Sequence, residues 1–134
     1  MFFGGKFTEK LQTFLSLRVF SRQSLKMFKI ILHAPFLRNI QGITLYPFVL
    51  LKHKTYKKDK ILMNHEEIHL QQQKELLVLP FYVLYVANYL FNLLKYRKHH
   101  IAYLNICFER EAYANEANLN YLSQRRFWAF WKYW

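Results

Sequence analysis

Residues 64–73 contain a His-Glu-x-x-His pattern, formed by His65, Glu66 and His69. If this stretch is helical, the two histidines lie one above the other on one face. Their imidazole nitrogens can then reach a single ion, at about 2.0–2.1 Å from a zinc. Glu66 lies beside that face and could accept the proton of an attacking water. The pattern therefore predicts a Zn²⁺ site that hydrolyses its substrate.

Two histidines are not a complete site, because a catalytic zinc usually has three protein ligands and one open position. The nearest carboxylates further along the chain are in residues 108–116, which include Glu109 and Glu111. A helix that returns along the motif helix could bring either one opposite His65 and His69. Spacing alone leaves both glutamates open as the third ligand.

The motif helix is predicted over residues 60–75. Asp59 is one candidate for its N-cap. The alternative is a capping box made by Asn64 and Glu67, which would start the helix about one turn later.

Residues 40–51, before this helix, are rich in β-branched and aromatic residues and predict an edge strand or hairpin. Pro47 cannot donate to a strand ladder, which favours an edge position. The apolar residues that alternation would place on one face are Ile43, Leu45, Val49 and Leu51.

Residues 76–94 carry no charge and are long enough to be a transmembrane candidate. Pro80 and the polar residues Asn88 and Asn92 argue against a simple span. A straight span would also place His69 and the residues near Glu111 about 30 Å apart. We therefore expect a compact helical bundle whose outer face contacts lipid, with a true span possible but not preferred. A further helix is predicted over residues 101–123.

Composition indicates a single domain, 1–134, that is mainly α with a small β element, an α+β fold. Aromatic residues make up 19% of the sequence, with only three glycines and three prolines, which favours long helices. We divide the chain into a basic amphipathic N-terminal segment (1–38), a core (39–123) and an aromatic, basic tail (124–134). The one cysteine, Cys107, excludes an intrachain disulfide.

The formal net charge of +12 indicates an anionic partner. An anionic membrane surface is favoured over nucleic acid, because basic residues are interleaved with large apolar ones and no nucleic-acid-binding motif is present. The expected location is therefore membrane-associated or cytoplasmic.

The motif, followed by Glu111-Ala112-Tyr113-Ala114-Asn115, resembles the gluzincin metallopeptidases. The likeness is greatest to their membrane-embedded branch, which includes the prenyl (CAAX) proteases and bacterial heat-shock membrane proteases. The chain is also similar to short, uncharacterised bacterial proteins with His-Glu-x-x-His-x-x-Gln. This resemblance covers residues 40–123 and implies a minimal zincin-like core. It implies that Glu111 is the third ligand, Glu109 being a poorer match. It also implies that Asn115, where the family has Asp, supports a ligating histidine.

The resemblance further implies a zinc metallopeptidase whose substrate is a peptide or protein. The edge strand, at Ile43, Leu45 and Tyr46, would hold an extended peptide. Tyr113 is a candidate to stabilise the oxyanion, and three other residues stay open for that role: Tyr103, Tyr121 and His99. The alternatives are a non-catalytic zinc-binding or membrane-associated scaffold, and a basic membrane- or nucleic-acid-binding protein with an accidental motif.

Overall fold

The computed structural model describes residues 28–134, a small three-stranded sheet followed by helices. The strands are β1 (Ile30–His33), β2 (Gly42–Leu45) and β3 (Phe48–Leu51). The α-helices are α1 (Lys60–Leu76), α2 (Val78–Tyr96), α3 (His99–Leu104), α4 (Cys107–Asn115) and α5 (Tyr121–Gln124). Two 3-10 helices cover Lys54–Lys58 and Ala129–Tyr133. The predicted α+β class is confirmed.

The N-terminal prediction can be compared only at its end. Most of the basic segment predicted over residues 1–38 lies outside the described residues. Its described part is not helical, because residues 30–33 form β1, which pairs in parallel with β3.

The sheet has the order β1-β3-β2, so β2 is an edge strand and forms a hairpin with β3. Thr44 lies opposite Val49, and Gly42 lies opposite Leu51. Directly opposed residues of an antiparallel pair share a face. The buried face therefore combines these four residues. The prediction that Ile43 and Leu45 share the face of Val49 and Leu51 is wrong, because the hairpin shifts the alternation by one residue.

Helix α1 begins after Asp59, whose carboxylate accepts the N–H groups of Ile61 and Leu62 at 3.0 and 3.1 Å. This confirms Asp59 as the N-cap rather than Asn64. The Asn64 amide instead donates to three carbonyls at the end of α4 and just after it, those of residues 115, 116 and 118. Met63 and Leu70 of α1 pack in one cluster with Val49 and Leu51 of the sheet. The motif helix is thus held between the sheet and α4.

Leu77, with φ of 60°, separates α1 from α2. Pro80 occupies the first turn of α2, where a missing N–H breaks no helical hydrogen bond. By length and composition α2 could cross a membrane, and only 17% of its most apolar window is buried. Among residues 28–134 it is the only such helix.

The helix predicted over residues 101–123 is three shorter helices, α3, α4 and α5. Ile106 is extended and ends the run, and the side-chain oxygen of Asn88 accepts the N–H of Cys107 at 2.8 Å. This contact, which comes from α2, satisfies a backbone donor at the start of α4. The tail then packs Phe130 against Phe108 of α4.

Candidate metal centre

Three buried side chains meet between α1 and α4: His65 and His69 from α1, and Glu109 from α4. The two Nε2 atoms are 3.1 Å apart. Glu109 places Oε2 at 3.5 Å from Nε2 of His65, and Oε1 at 3.4 Å from Nε2 of His69. In a tetrahedral zinc site with bonds of about 2.0–2.1 Å, ligand atoms lie about 3.3 Å apart. The three residues therefore form a group that could hold one metal ion.

Two features of the group are energetically unfavourable unless a cation is bound. Glu109 Oε2 is the one buried side-chain polar atom of residues 28–134 without a hydrogen-bond partner. The facing Nε2 atoms of the two imidazoles can share only one hydrogen bond, with one nitrogen as donor. Both features are expected where lone pairs converge on an ion, since buried polar atoms otherwise find partners.

The far nitrogen of each imidazole is held by a side chain that accepts a hydrogen bond. Nδ1 of His65 donates to Glu116, and Nδ1 of His69 donates to Gln72, each at 2.8 Å. These acceptors keep the proton on Nδ1, so each Nε2 lone pair is free for a metal. Gln72 is itself fixed, because its amide donates to the carbonyl of Phe108 and to Glu111.

Charge in the group is balanced by a proton when no metal is bound. Burial lowers the pKa of His69, but the charge and hydrogen bond of Glu109 outweigh it and raise this pKa to about 9. Burial likewise raises the pKa of Glu109. The charge of His69, with the hydrogen bond from Tyr85, nevertheless holds the Glu109 pKa well below its usual range. A bound cation would replace that proton.

Glu66, the predicted base, is buried and lines a cleft of about 880 Å³ together with His65. The Thr44 hydroxyl donates to Glu66 Oε2 at 2.5 Å. A Cβ on Gly42 would lie 2.6 Å from Glu66 Oε1, so the absence of a side chain at position 42 makes room for the carboxylate. Strand β2 therefore fixes the position of this glutamate.

Glu111, the predicted third ligand, is not part of the group that could hold a metal. Residues two apart on a helix point about 200° away from each other, so Glu109 and Glu111 cannot both face α1. The Glu111 carboxylate is fully buried and accepts hydrogen bonds from Arg125 at 2.5 Å and from Tyr121 at 3.0 Å. It also accepts from Gln72 at 3.0 Å, and so it contacts the site only indirectly. The assignment is corrected to Glu109.

Asn115 also does not have its predicted contact with a histidine. Its amide donates to the Glu111 carbonyl and to the Tyr133 hydroxyl, not to a histidine. The next residue, Glu116, supports His65 instead. Sequence reasoning missed Glu116 and Gln72, although Gln72 is the last residue of the His-Glu-x-x-His-x-x-Gln pattern.

The predicted peptide-binding edge is partly closed. The Thr44 carbonyl accepts hydrogen bonds from Gln73 and Tyr82 at 2.9 Å each, and the Tyr46 N–H donates to Gln73. Extended pairing along Ile43, Leu45 and Tyr46 would therefore have to displace these side chains. The cleft is lined instead by residues 39–42, of which only Gly42 belongs to β2.

Among the oxyanion candidates, Tyr113 contacts one of the two histidines of the group. Its ring packs against the His65 ring with centroids 4.7 Å apart, and it lines the cleft. Tyr103 and His99 also line the cleft, whereas Tyr121 donates its hydroxyl to Glu111.

Comparison with known proteins adds no assignment: no protein-family model, curated protein or solved structure matches the chain. The chemistry of the site therefore rests on its own geometry.

Proposed function

We propose that this protein is a zinc-dependent peptidase. The observation that carries the proposal is the convergence of two histidines and Glu109 on one point, with a buried glutamate beside them that lines a cleft. Two histidines and a glutamate are a ligand set typical of catalytic zinc in peptidases, with the fourth position open. Zinc bound there would polarise a carbonyl and lower the pKa of a water towards roughly 7.

Glu66 would accept the proton of the attacking water and deliver it to the leaving amine. Its two carboxylate oxygens are constrained from β2, one by the Thr44 hydroxyl and one by contact with Gly42. This restraint favours proton transfer because it fixes the carboxylate before substrate arrives. The Tyr113 hydroxyl would donate to the oxyanion.

The substrate proposed is an extended peptide that lies along residues 39–42, where the chain lines the cleft as it enters β2. Backbone hydrogen bonds would supply affinity for such a segment, and side-chain pockets would supply preference. Tyr85, Tyr103 and Tyr113 line the cleft, so large apolar or aromatic side chains are expected to bind there.

The test combines metal analysis with two neighbouring isosteric variants. We expect one zinc per chain in the native protein and cleavage of an unstructured protein such as casein. Glu66→Gln should keep zinc and lose at least about a thousandfold in turnover. Glu67→Gln is the matched control, because Glu67 pairs with Lys29 and does not line the cleft. Cleavage by the Glu66 variant at the native rate would exclude Glu66 as the base.

The same measurements separate the alternatives. If the native protein binds zinc but cleaves no substrate, the result would favour the non-catalytic zinc-binding scaffold. Iron in place of zinc would favour oxygen chemistry, since two histidines and one carboxylate also hold non-haem iron. If the purified protein contains no metal, the remaining alternative is a basic membrane- or nucleic-acid-binding protein.

The proposed place of action is a membrane surface. Helix α2, the longest apolar helix of residues 28–134, is mostly uncovered by the rest of the described chain, and the net charge of +12 favours an anionic surface.

A further inference from the structure

We infer that helix α2 lies in the plane of an anionic bilayer and inserts its outer face at the boundary between headgroups and acyl chains. We define the outer face by five residues: Leu79, Val83, Val86, Leu90 and Leu94. Each has 51–80% of its surface exposed. Their spacing of three or four places them along one side of the helix. They form an uninterrupted apolar strip about 22 Å long, at 1.5 Å per residue.

The opposite side of α2 is polar and faces the protein. Residues 79–94 contain five polar side chains, three tyrosines and two asparagines, and all five bond to other elements. Tyr82, Tyr85 and Tyr89 contact Thr44, Glu109 and His99; Asn88 and Asn92 contact the backbone of Cys107 and Ala102. A surface helix in water shows the reverse arrangement, with its polar side outward. This inversion indicates that the outer face meets an apolar phase.

Residues suited to a membrane–water interface follow α2 directly and also lie in the tail. Lys95, Arg97 and Lys98 stand at the carboxyl end of α2 and just after it. The tail contacts the end of α1 that precedes α2, because the Trp128 N–H donates to Glu75. The tail exposes four large aromatic side chains, Phe127, Trp128, Trp131 and Trp134. Indole rings favour the headgroup region, and cationic side chains attract anionic lipid.

The position of the metal-binding group favours an in-plane helix over a spanning one. Tyr85, near the middle of α2, donates its hydroxyl to Glu109 at 2.7 Å. A spanning α2 would therefore carry the buried carboxylates and the cleft to the depth of the hydrocarbon core. Charged groups are costly there. With α2 in the plane, the same contact places the site above the lipid, on the side away from the outer face.

Flotation of the purified full-length protein with vesicles tests this inference. Vesicles of phosphatidylcholine with 30 mol% phosphatidylglycerol should bind the native protein, and pure phosphatidylcholine vesicles should bind it less. Val83→Glu with Leu90→Glu should weaken partitioning by at least about a hundredfold, since two inserted apolar groups become charged. The control is Thr55→Glu with Leu119→Glu, which adds the same charge at exposed positions outside α2. It should bind nearly as well as the native protein.

Several results would overturn the inference. Unchanged binding of the α2 variant, or equal loss in the control, would remove the outer face as the docking surface. A native dimer in lipid-free solution that the α2 variant converts to monomer would assign the face to a second copy of the chain. Resistance of bound protein to alkaline carbonate extraction would indicate a span. Circular dichroism of both variants checks that they fold. Flotation requires no turnover, so failure of this inference is distinguishable from failure of the peptidase proposal.

Discussion

Replacement of Glu109 or Glu111 by glutamine is expected to affect different properties of the protein. The change at Glu109 should lower zinc affinity, and the change at Glu111 should lower stability. Glu109→Gln removes the negative charge from the metal-binding group. Its zinc affinity should fall by more than the 10–100-fold that loss of a hydrogen bond to a ligand typically costs, because a ligand itself is altered. The fold should persist, since Tyr85 can still donate to the new amide oxygen and His69, unlike Arg125, can lose its proton.

Glu111→Gln acts instead on a buried ion pair. Removing one partner of such a pair costs about 3–5 kcal/mol, because the other charge is left without compensation. Arg125 retains Glu75 at 2.5 Å, so we expect about 3 kcal/mol, the lower end of that range. For a domain of this size that corresponds to a fall in melting temperature of about 10 °C. Zinc should remain bound, with affinity reduced at most about a hundredfold through Gln72.

The assay is a thermal melt with and without zinc, together with metal content by mass spectrometry. Free zinc at about a hundred times its dissociation constant should stabilise a competent site by about 2.7 kcal/mol. The native protein and Glu111→Gln should both show that shift, whereas Glu109→Gln should not. Loss of zinc from Glu111→Gln with zinc retained by Glu109→Gln would refute the assignment made from the structure.

Three further outcomes follow from the same contacts. Gln72→Leu should weaken zinc binding about 10–100-fold, because His69 loses the acceptor for its Nδ1–H. Gly42→Ala should lower turnover about 10–100-fold at unchanged zinc content, because the new Cβ would lie 2.6 Å from Glu66 Oε1. In chelator, the stabilisation from protonated His69 should be fully present below pH 6.5 and lost as pH rises through about 9, because folding raises the pKa from 6.5 to about 9. Urea unfolding between pH 6 and pH 10 measures this loss.

A separate result would contradict each of these three predictions. Gln71→Leu is the control for Gln72→Leu, since Gln71 bonds to Glu75 and not to a histidine. Equal zinc loss in both would point to a general effect on α1. Native turnover of Gly42→Ala would show that the Glu66 position is not constrained by β2. A urea midpoint in chelator that rises between pH 7 and pH 10 would contradict the His69–Glu109 pairing.

The local parts of this protein could be predicted because their causes lie within a few residues. The His65–His69 spacing and the helix cap each depend on a single helical turn, and Asp59 is one of the two caps that the sequence predicts. Composition predicts the hairpin, but it does not predict which side chains of the hairpin are buried. Which side chains face the core depends on whether the turn keeps or shifts the alternation, and Thr44 rather than Ile43 is buried.

The third ligand could not be chosen from sequence, because α4 carries two glutamates on opposite sides. Rotation of α4 decides between them, and that rotation is set by contacts distant in the sequence. Asn88 fixes the first turn, and Arg125 binds Glu111 from the tail. Neither contact leaves a signal near residues 107–115. The family pattern favours Glu111, whereas the structure places Glu109 beside the two histidines.

The separation of the ligands along the chain gives a bound ion a second effect, that of a cross-link. His69 and Glu109 are 40 residues apart, and the single cysteine makes a disulfide within the chain impossible. Because the unfolded chain has no preformed site, an ion held by α1 and α4 would be released on unfolding, and its binding free energy would add to the stability of the folded state. Loss of metal should therefore shorten the lifetime of the protein against proteolysis as well as stop turnover.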